Sequence, residues 1–141
     1  DGFRWHARGY CHIDEKYKDF LLPRILDVRH MDVPGRGGDQ DALWNKTFDI
    51  EIGPHPRLTP SQRAVVAKDY GMTNDRAVLS VRYAMLFYVL KRLGLLGDAS
   101  QQSPRTQHIV ALNPHETERA LQRADFEFGE VEQIFPKVGE A

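Results

Sequence analysis

The chain has 141 residues, 28% charged and 41% apolar, with a formal net charge of −1. That length suits one domain or two small ones, and the balanced charge gives no global drive toward nucleic acid or a membrane. A single cysteine, Cys11, excludes an internal disulfide and fits a reducing compartment, so a cytoplasmic location is expected. No apolar run reaches the length of a membrane span. The charge is uneven along the chain: residues 4–36 hold seven Lys/Arg, five Asp/Glu and three of the six His, whereas residues 115–141 hold three Lys/Arg and seven Asp/Glu.

Arg4 to His12 and Tyr17 to Ile25 read as two β-strands joined by the charged turn Asp14-Glu15-Lys16. Period-two alternation puts Arg4, His6, Arg8, Tyr10 and His12 on one side of the first strand, and Lys18, Phe20, Leu22 and Arg24 on one side of the second. Taken as one sheet face, His6, Arg8, Tyr10, Lys18, Phe20 and Arg24 suit an anionic ligand with flat rings. Arg8, Lys18 and Arg24 would meet phosphates, and His6, Tyr10 and Phe20 would stack on bases at roughly 1–3 kcal/mol each. On this reading each cation can be replaced by Ala with little loss of fold. The alternative is a solvated face over a core face. Cys11 falls opposite His6 and His12, on the side expected to be buried, which speaks against both a metal site and a nucleophilic thiol. No CxxC, HExxH or phosphate-binding Gly-rich loop is present, and no cofactor is expected.

Leu26 to Met31 reads as a further strand, and residues 34–41, rich in Gly, Pro and Asp, as a linker. Trp44 is expected to anchor that linker on a core. Phe48 to Ile52 alternates as a half-buried strand. Gly53-Pro54-His55-Pro56 looks catalytic at a glance but reads better as a rigid corner with His55 bonded to local backbone. Thr59, Pro60 and Gln62 form a capping box at the head of a helix ending near Gly71. A strand over residues 78–83 precedes a helix over residues 84–96, apolar nearly all round. One sheet cannot cover such a helix on every side. The expected second cover is a subunit interface that includes Met85, Leu86, Phe87, Tyr88 and Val89; the alternative is full burial in a monomer core. A strand over residues 108–112 and a helix started by Asn113 and Glu116 follow. The tail, residues 126–141, reads as a strand, a strap or a disordered end.

Several of these segments resemble one family. Trp5-His6-Ala7 with Gly9-Tyr10-Cys11, then Phe20-x-Leu22-x-Arg24-Ile25, is similar to the signature strands of WYL domains, although two of the three eponymous positions differ. Ile52-Gly53-Pro54-His55-Pro56, Asp69-Tyr70-Gly71-Met72 and Val81-Arg82-x-Ala84-x-Leu86-Phe87-Tyr88 resemble the branch of WYL repressors associated with phage defence. The resemblance spans residues 3–113. It implies an α+β chain: residues 1–33 as the last part of an Sm/SH3-like WYL barrel, 34–41 as linker, and 42–141 as a small α/β-sandwich dimerisation domain of the WCX kind. It implies no enzyme, but the ligand-sensing part of a homodimeric bacterial regulator, sensing a nucleic acid or nucleotide and meeting operator DNA through a helix-turn-helix before Asp1. An Sm-like single-stranded nucleic-acid-binding module and a pure dimerisation scaffold remain the alternatives.

Overall fold

The computed structural model describes residues 3–30 and 35–128, with side chains to residue 124. Strands β1 (His6–Cys11) and β2 (Lys16–Leu21) form an antiparallel hairpin. Glu15 takes φ 54 to close the turn. The second strand ends sooner than its alternation suggests, because Leu22-Pro23-Arg24 folds into a 3-10 turn with proline at its head. Residues 25–30 lie outside any strand, so the strand expected from Leu26 does not form over them; Met31 falls outside the described residues. What stands at the front, among the described residues, is a two-stranded hairpin and not a closed barrel.

A short helix α1 (Ala42–Asn45) follows, with Asp41 as its N-cap. Then come β3 (Thr47–Pro54), α2 (Pro60–Asp69), β4 (Ala77–Arg82), a 3-10 turn over Tyr83–Met85, α3 (Leu86–Leu93), β5 (Ile109–Ala111) and α4 (Pro114–Phe128). The three strands make an antiparallel sheet in the order β4-β3-β5. Register pairs Phe48 with Val81, Ile50 with Leu79 and Ile52 with both Ala77 and Ala111, so one face is uniformly apolar. Ile50 and Ile52 are fully buried there, against Val66 of α2, Leu86 and Leu90 of α3, and Ala120 of α4. The other face carries Asp49, Glu51 and Ser80; Ser80 donates to Asp49 at 2.7 Å and Arg76 to Glu51 at 2.7 Å. Helices on one side and a polar sheet face on the other make a two-layer α/β arrangement.

Local chemistry explains most boundaries. The expected capping box at α2 is present: Gln62 N–H donates to Thr59 Oγ1, and Thr59 N–H to Gln62 Oε1. Helix α3 closes in a Schellman motif, where Gly94 at φ 72 allows Leu95 N–H to reach Leu90 O at 2.8 Å and Gly94 N–H to reach Lys91 O at 3.2 Å. This ends the helix at Leu93, three residues short of the expected Leu96. Its start is also later than expected, because residues 83–85 wind as 3-10. Asn113 directly precedes α4 as expected of its cap, and Thr117 N–H donates to its backbone carbonyl at 3.0 Å. Its amide is engaged with β3, accepting from Glu51 N–H and donating to Asp49 O, both at 2.9 Å, and it also receives the Thr117 hydroxyl. The chain expected as tail contributes Phe126–Phe128 to α4; residues 129–141 lie outside the described residues.

Candidate functional site

Residues directly opposite in an antiparallel pair share a face. The register His6↔Leu21, Arg8↔Asp19 and Tyr10↔Tyr17 therefore places His6, Arg8 and Tyr10 with Asp19 and Tyr17. Lys18 and Phe20 stand opposite Gly9 and Ala7, on the other face. The six residues expected to form one ligand surface are thus divided, and Arg24 sits apart in the 3-10 turn, exposed. Alternation within each strand was legible, but the pairing register that relates two strands was not.

The His6 face is a junction. Arg8 reaches across to the N-cap of α1: Nε donates to Asp41 Oδ2 at 2.5 Å and Nη2 to Asp41 Oδ1 at 3.0 Å, while Nη1 donates to Asp19 Oδ1 at 3.3 Å. The pair is dry, with the Arg8 side chain 10% and the Asp41 side chain 4% exposed. Burial alone would lower the Arg8 pKa, but hydrogen bonds and charge from Asp41 and Asp19 overcome it and raise it. Asp19 also accepts the Tyr88 hydroxyl at 3.3 Å, and the His6 ring meets Tyr88 edge-on at 5.0 Å. Burial first, and the Asp19 charge next, push the Tyr88 hydroxyl up to about 12. Burial, assisted by the nearby charge of Arg4, holds His6 below the ordinary imidazole value despite the opposing pull of Asp19. Tyr10 is engaged as well. Arg36 stacks over its ring at 4.4 Å, His12 and Tyr17 meet it edge-on, and Tyr17 donates to Gly37 O at 2.7 Å. The expectation that Arg8 can be truncated with little loss of fold is therefore corrected, because its removal leaves a buried carboxylate.

The opposite face is the more open one. Phe20 is 36% exposed beside Gly9, and Trp5 is 79% exposed. Lys18 pairs with Asp14 in the turn, holding that carboxyl below its usual range, and the Cys11 thiol lies 3.6 Å from the same group. Cys11 is half-buried and not enclosed as expected. Among the described residues no cluster of His, Cys, Asp and Glu is placed to hold a metal ion.

The five residues expected at a subunit interface also divide. Met85 and Phe87 are each 40% exposed, whereas Leu86 is fully buried in the core and Val89 packs against it. Tyr88 faces the hairpin. The hairpin covers α3 at Tyr88, a contact invisible without its docking. Trp44 is a partial anchor: it remains 37% exposed, with Arg82 stacked over its ring at 4.6 Å and donating to its carbonyl. Asp41, the residue that ties hairpin to domain, carries a sequence signal only as the N-cap before Ala42-Leu43-Trp44. His55 behaves as a rigid corner, with Nδ1 accepting from Arg57 N–H at 3.1 Å.

Residues 47–117, which span the sheet, α2, α3 and the start of α4, match the family described as BrxR transcriptional regulator, C-terminal dimerization domain. The chain belongs to this family. It is 42% identical over 121 residues to the DNA-binding transcriptional repressor CapW of Stenotrophomonas maltophilia, covering 84% of this chain and 40% of that protein. It is 34% identical over 122 residues to the CapW repressor of Pseudomonas aeruginosa, covering 86% and 41%. The match to that of Escherichia coli is 34% over 116 residues, covering 82% and 39%. The chain therefore spans about 40% of the length of these curated relatives. A family of transcriptional regulators agrees with the expectation that the chain is no enzyme, and no helix among the described residues is long and apolar enough to cross a membrane.

Proposed function

We propose that this chain is the signal-receiving and dimerising region of a bacterial transcriptional repressor that acts on operator DNA through a helix-turn-helix elsewhere in its protein. The observation that carries this reading is the Arg8–Asp41 and Tyr88–Asp19 junction within a member of a dimerization-domain family. It couples the β1–β2 hairpin, within a unit of WYL character over residues 1–33, to the cap of α1 at Asp41 and to α3 of the dimerising unit at Tyr88. The ligand is a nucleic acid or nucleotide met by Lys18 and Phe20 on the outer side of the hairpin and by Arg24 in the 3-10 turn that follows it. On the inner side, Arg8 exchanges Asp41 for a ligand phosphate, with His6 and Tyr10 flanking it. Losing Asp41 loosens the hairpin on α3, and so alters the relation of two subunits and the spacing of their operator contacts. Met85 and Phe87 belong to the twofold contact.

The test uses the full-length protein. Genomic fragments that it retains define its operator, and release of that fragment by short oligonucleotides or nucleotides is then titrated. Lys18→Ala and Arg24→Ala should keep operator affinity and weaken release, with the salt slope of ligand binding falling by about one unit per lost phosphate contact. Retention of no fragment defeats the repressor reading. Release identical in both variants defeats the ligand face. A second reading, a dimerisation scaffold whose hairpin binds nothing, is favoured by the engagement of Arg8 with two carboxylates and of Tyr10 with Arg36. Absence of any oligonucleotide or nucleotide effect on a dimeric, operator-bound protein would select it.

A further inference from the structure

A second basic site lies on the dimerization unit, remote in sequence from the hairpin. The last turn of α3, Tyr70 at the end of α2 and the segment Thr106–Ile109 border an open pocket of about 280 Å³. Lys91, Arg92 and His108 line it, with Tyr70 and Thr106 as further hydroxyl groups, and no carboxylate is among its lining residues. Cations in the last turn of a helix ordinarily complement its unsatisfied carbonyls. Here that work is done by other groups. Leu95 N–H bonds Leu90 O, Gly94 N–H bonds Lys91 O, and the Gln107 amide donates to Leu93 O at 2.9 Å. Among the described residues Lys91 and Arg92 form no ion pair and no side-chain hydrogen bond, and both are exposed. Two cations and an imidazole around a cavity with no balancing carboxylate make an anion receptor.

His108 also lines an adjoining groove of about 370 Å³ that runs along α2. Its wall is mainly apolar, with Leu58, Val65 and Pro104, and its polar groups include Gln62 and Asp69. A basic pocket and an apolar trough that share a lining histidine match a ligand with an anionic head and a flat body. We propose that this site binds a phosphate ester carrying a flat ring, with the phosphate on Lys91, Arg92 and His108 and the ring in the α2 groove. The shared chemistry is that of a nucleotide, either free or within a single strand.

The experiment titrates the full-length protein with AMP, inorganic phosphate and a ten-residue oligothymidylate, each at low and moderate salt. Lys91→Ala/Arg92→Ala should weaken AMP binding about tenfold or more, since each charge-assisted contact contributes of the order of a factor of ten. Arg119→Ala/Arg123→Ala, two exposed cations of α4, should leave it unchanged, and Lys18→Ala/Arg24→Ala, which strips the ligand face proposed on the hairpin, isolates the AMP bound at Lys91 and Arg92. AMP should also shield Lys91 from acylation, read by mass spectrometry, while Lys68 stays reactive. AMP binding tighter than phosphate supports the ring groove, and equal affinity overturns that part. Binding of the oligonucleotide without AMP, lost in the Lys91/Arg92 variant, supports the site and identifies its source as a strand. Equal loss in the α4 variant, loss only in the hairpin variant, or no binding of any of the three probes overturns the proposal.

Discussion

Arg8 and Asp41 lie 33 positions apart, yet they form a two-pronged, nearly dry ion pair in which Asp41 also receives Trp44 N–H as the cap of α1. One carboxylate thereby fixes both the start of a helix and the docking of the hairpin. Removing either partner leaves the other charge buried, which costs about 3–5 kcal/mol where such pairs have been broken. Arg8→Ala and Asp41→Ala are expected to lower stability by amounts in that range, Asp41→Ala by about 1 kcal/mol more for the lost cap. The double variant should cost much less than the sum. A denaturant-unfolding cycle over the four proteins checks this; additive losses would mean that the pair is not coupled.

The exposure of α3 sorts its apolar residues into two kinds of test. Phe87→Glu and Met85→Glu should yield a folded chain with weakened self-association, because both side chains already reach solvent. Leu86→Glu should unfold the domain, since it places a charge at a fully buried site of the core. Light scattering beside circular dichroism separates these outcomes. A Phe87→Glu protein as dimeric as the parent would remove this part of α3 from the interface.

Acid should loosen the hairpin before it unfolds the sheet. Burial holds the His6 imidazole below its ordinary value, so the unfolded chain takes up a proton at higher pH than the folded chain does. The stability associated with neutral His6 is complete above about pH 6.5 and declines as the pH falls below that value. His6→Gln, which cannot titrate, should flatten the fall in Tm between pH 7 and pH 5. Parallel curves for parent and variant would show that His6 is not the group responsible.

Much of the dimerization unit was legible in the sequence because its signals are local. Thr59-Pro60-x-Gln62 specified a helix start through bonds within one turn, and the alternation of Phe48 to Ile52 specified which side of β3 is buried. The junction was not legible. Strand pairing that sets Arg8 beside Asp19 and Lys18 beside Gly9 depends on the turn between them, and a slip of one position reverses every face. Asp41 looked like part of a linker because its partner comes from a distant strand. The helix 86–93 looked uncovered for the same reason: the hairpin that shelters Tyr88 precedes it by 67 positions at the nearest strand end, counting from Leu21 to Tyr88.

The hairpin owes its place to a few polar and ring contacts: Arg8 to Asp41, Tyr88 to Asp19, His6 against Tyr88 and Tyr17 to Gly37. The sheet and its helices share a continuous apolar core around Ile50, Ile52, Leu86 and Leu90. Two such attachments open at different free energies. Amide protons along β1 and β2 are therefore expected to exchange with solvent through partial openings that leave β3 and α3 closed. The element proposed above to meet a ligand is the one whose attachment holds the fewest apolar contacts.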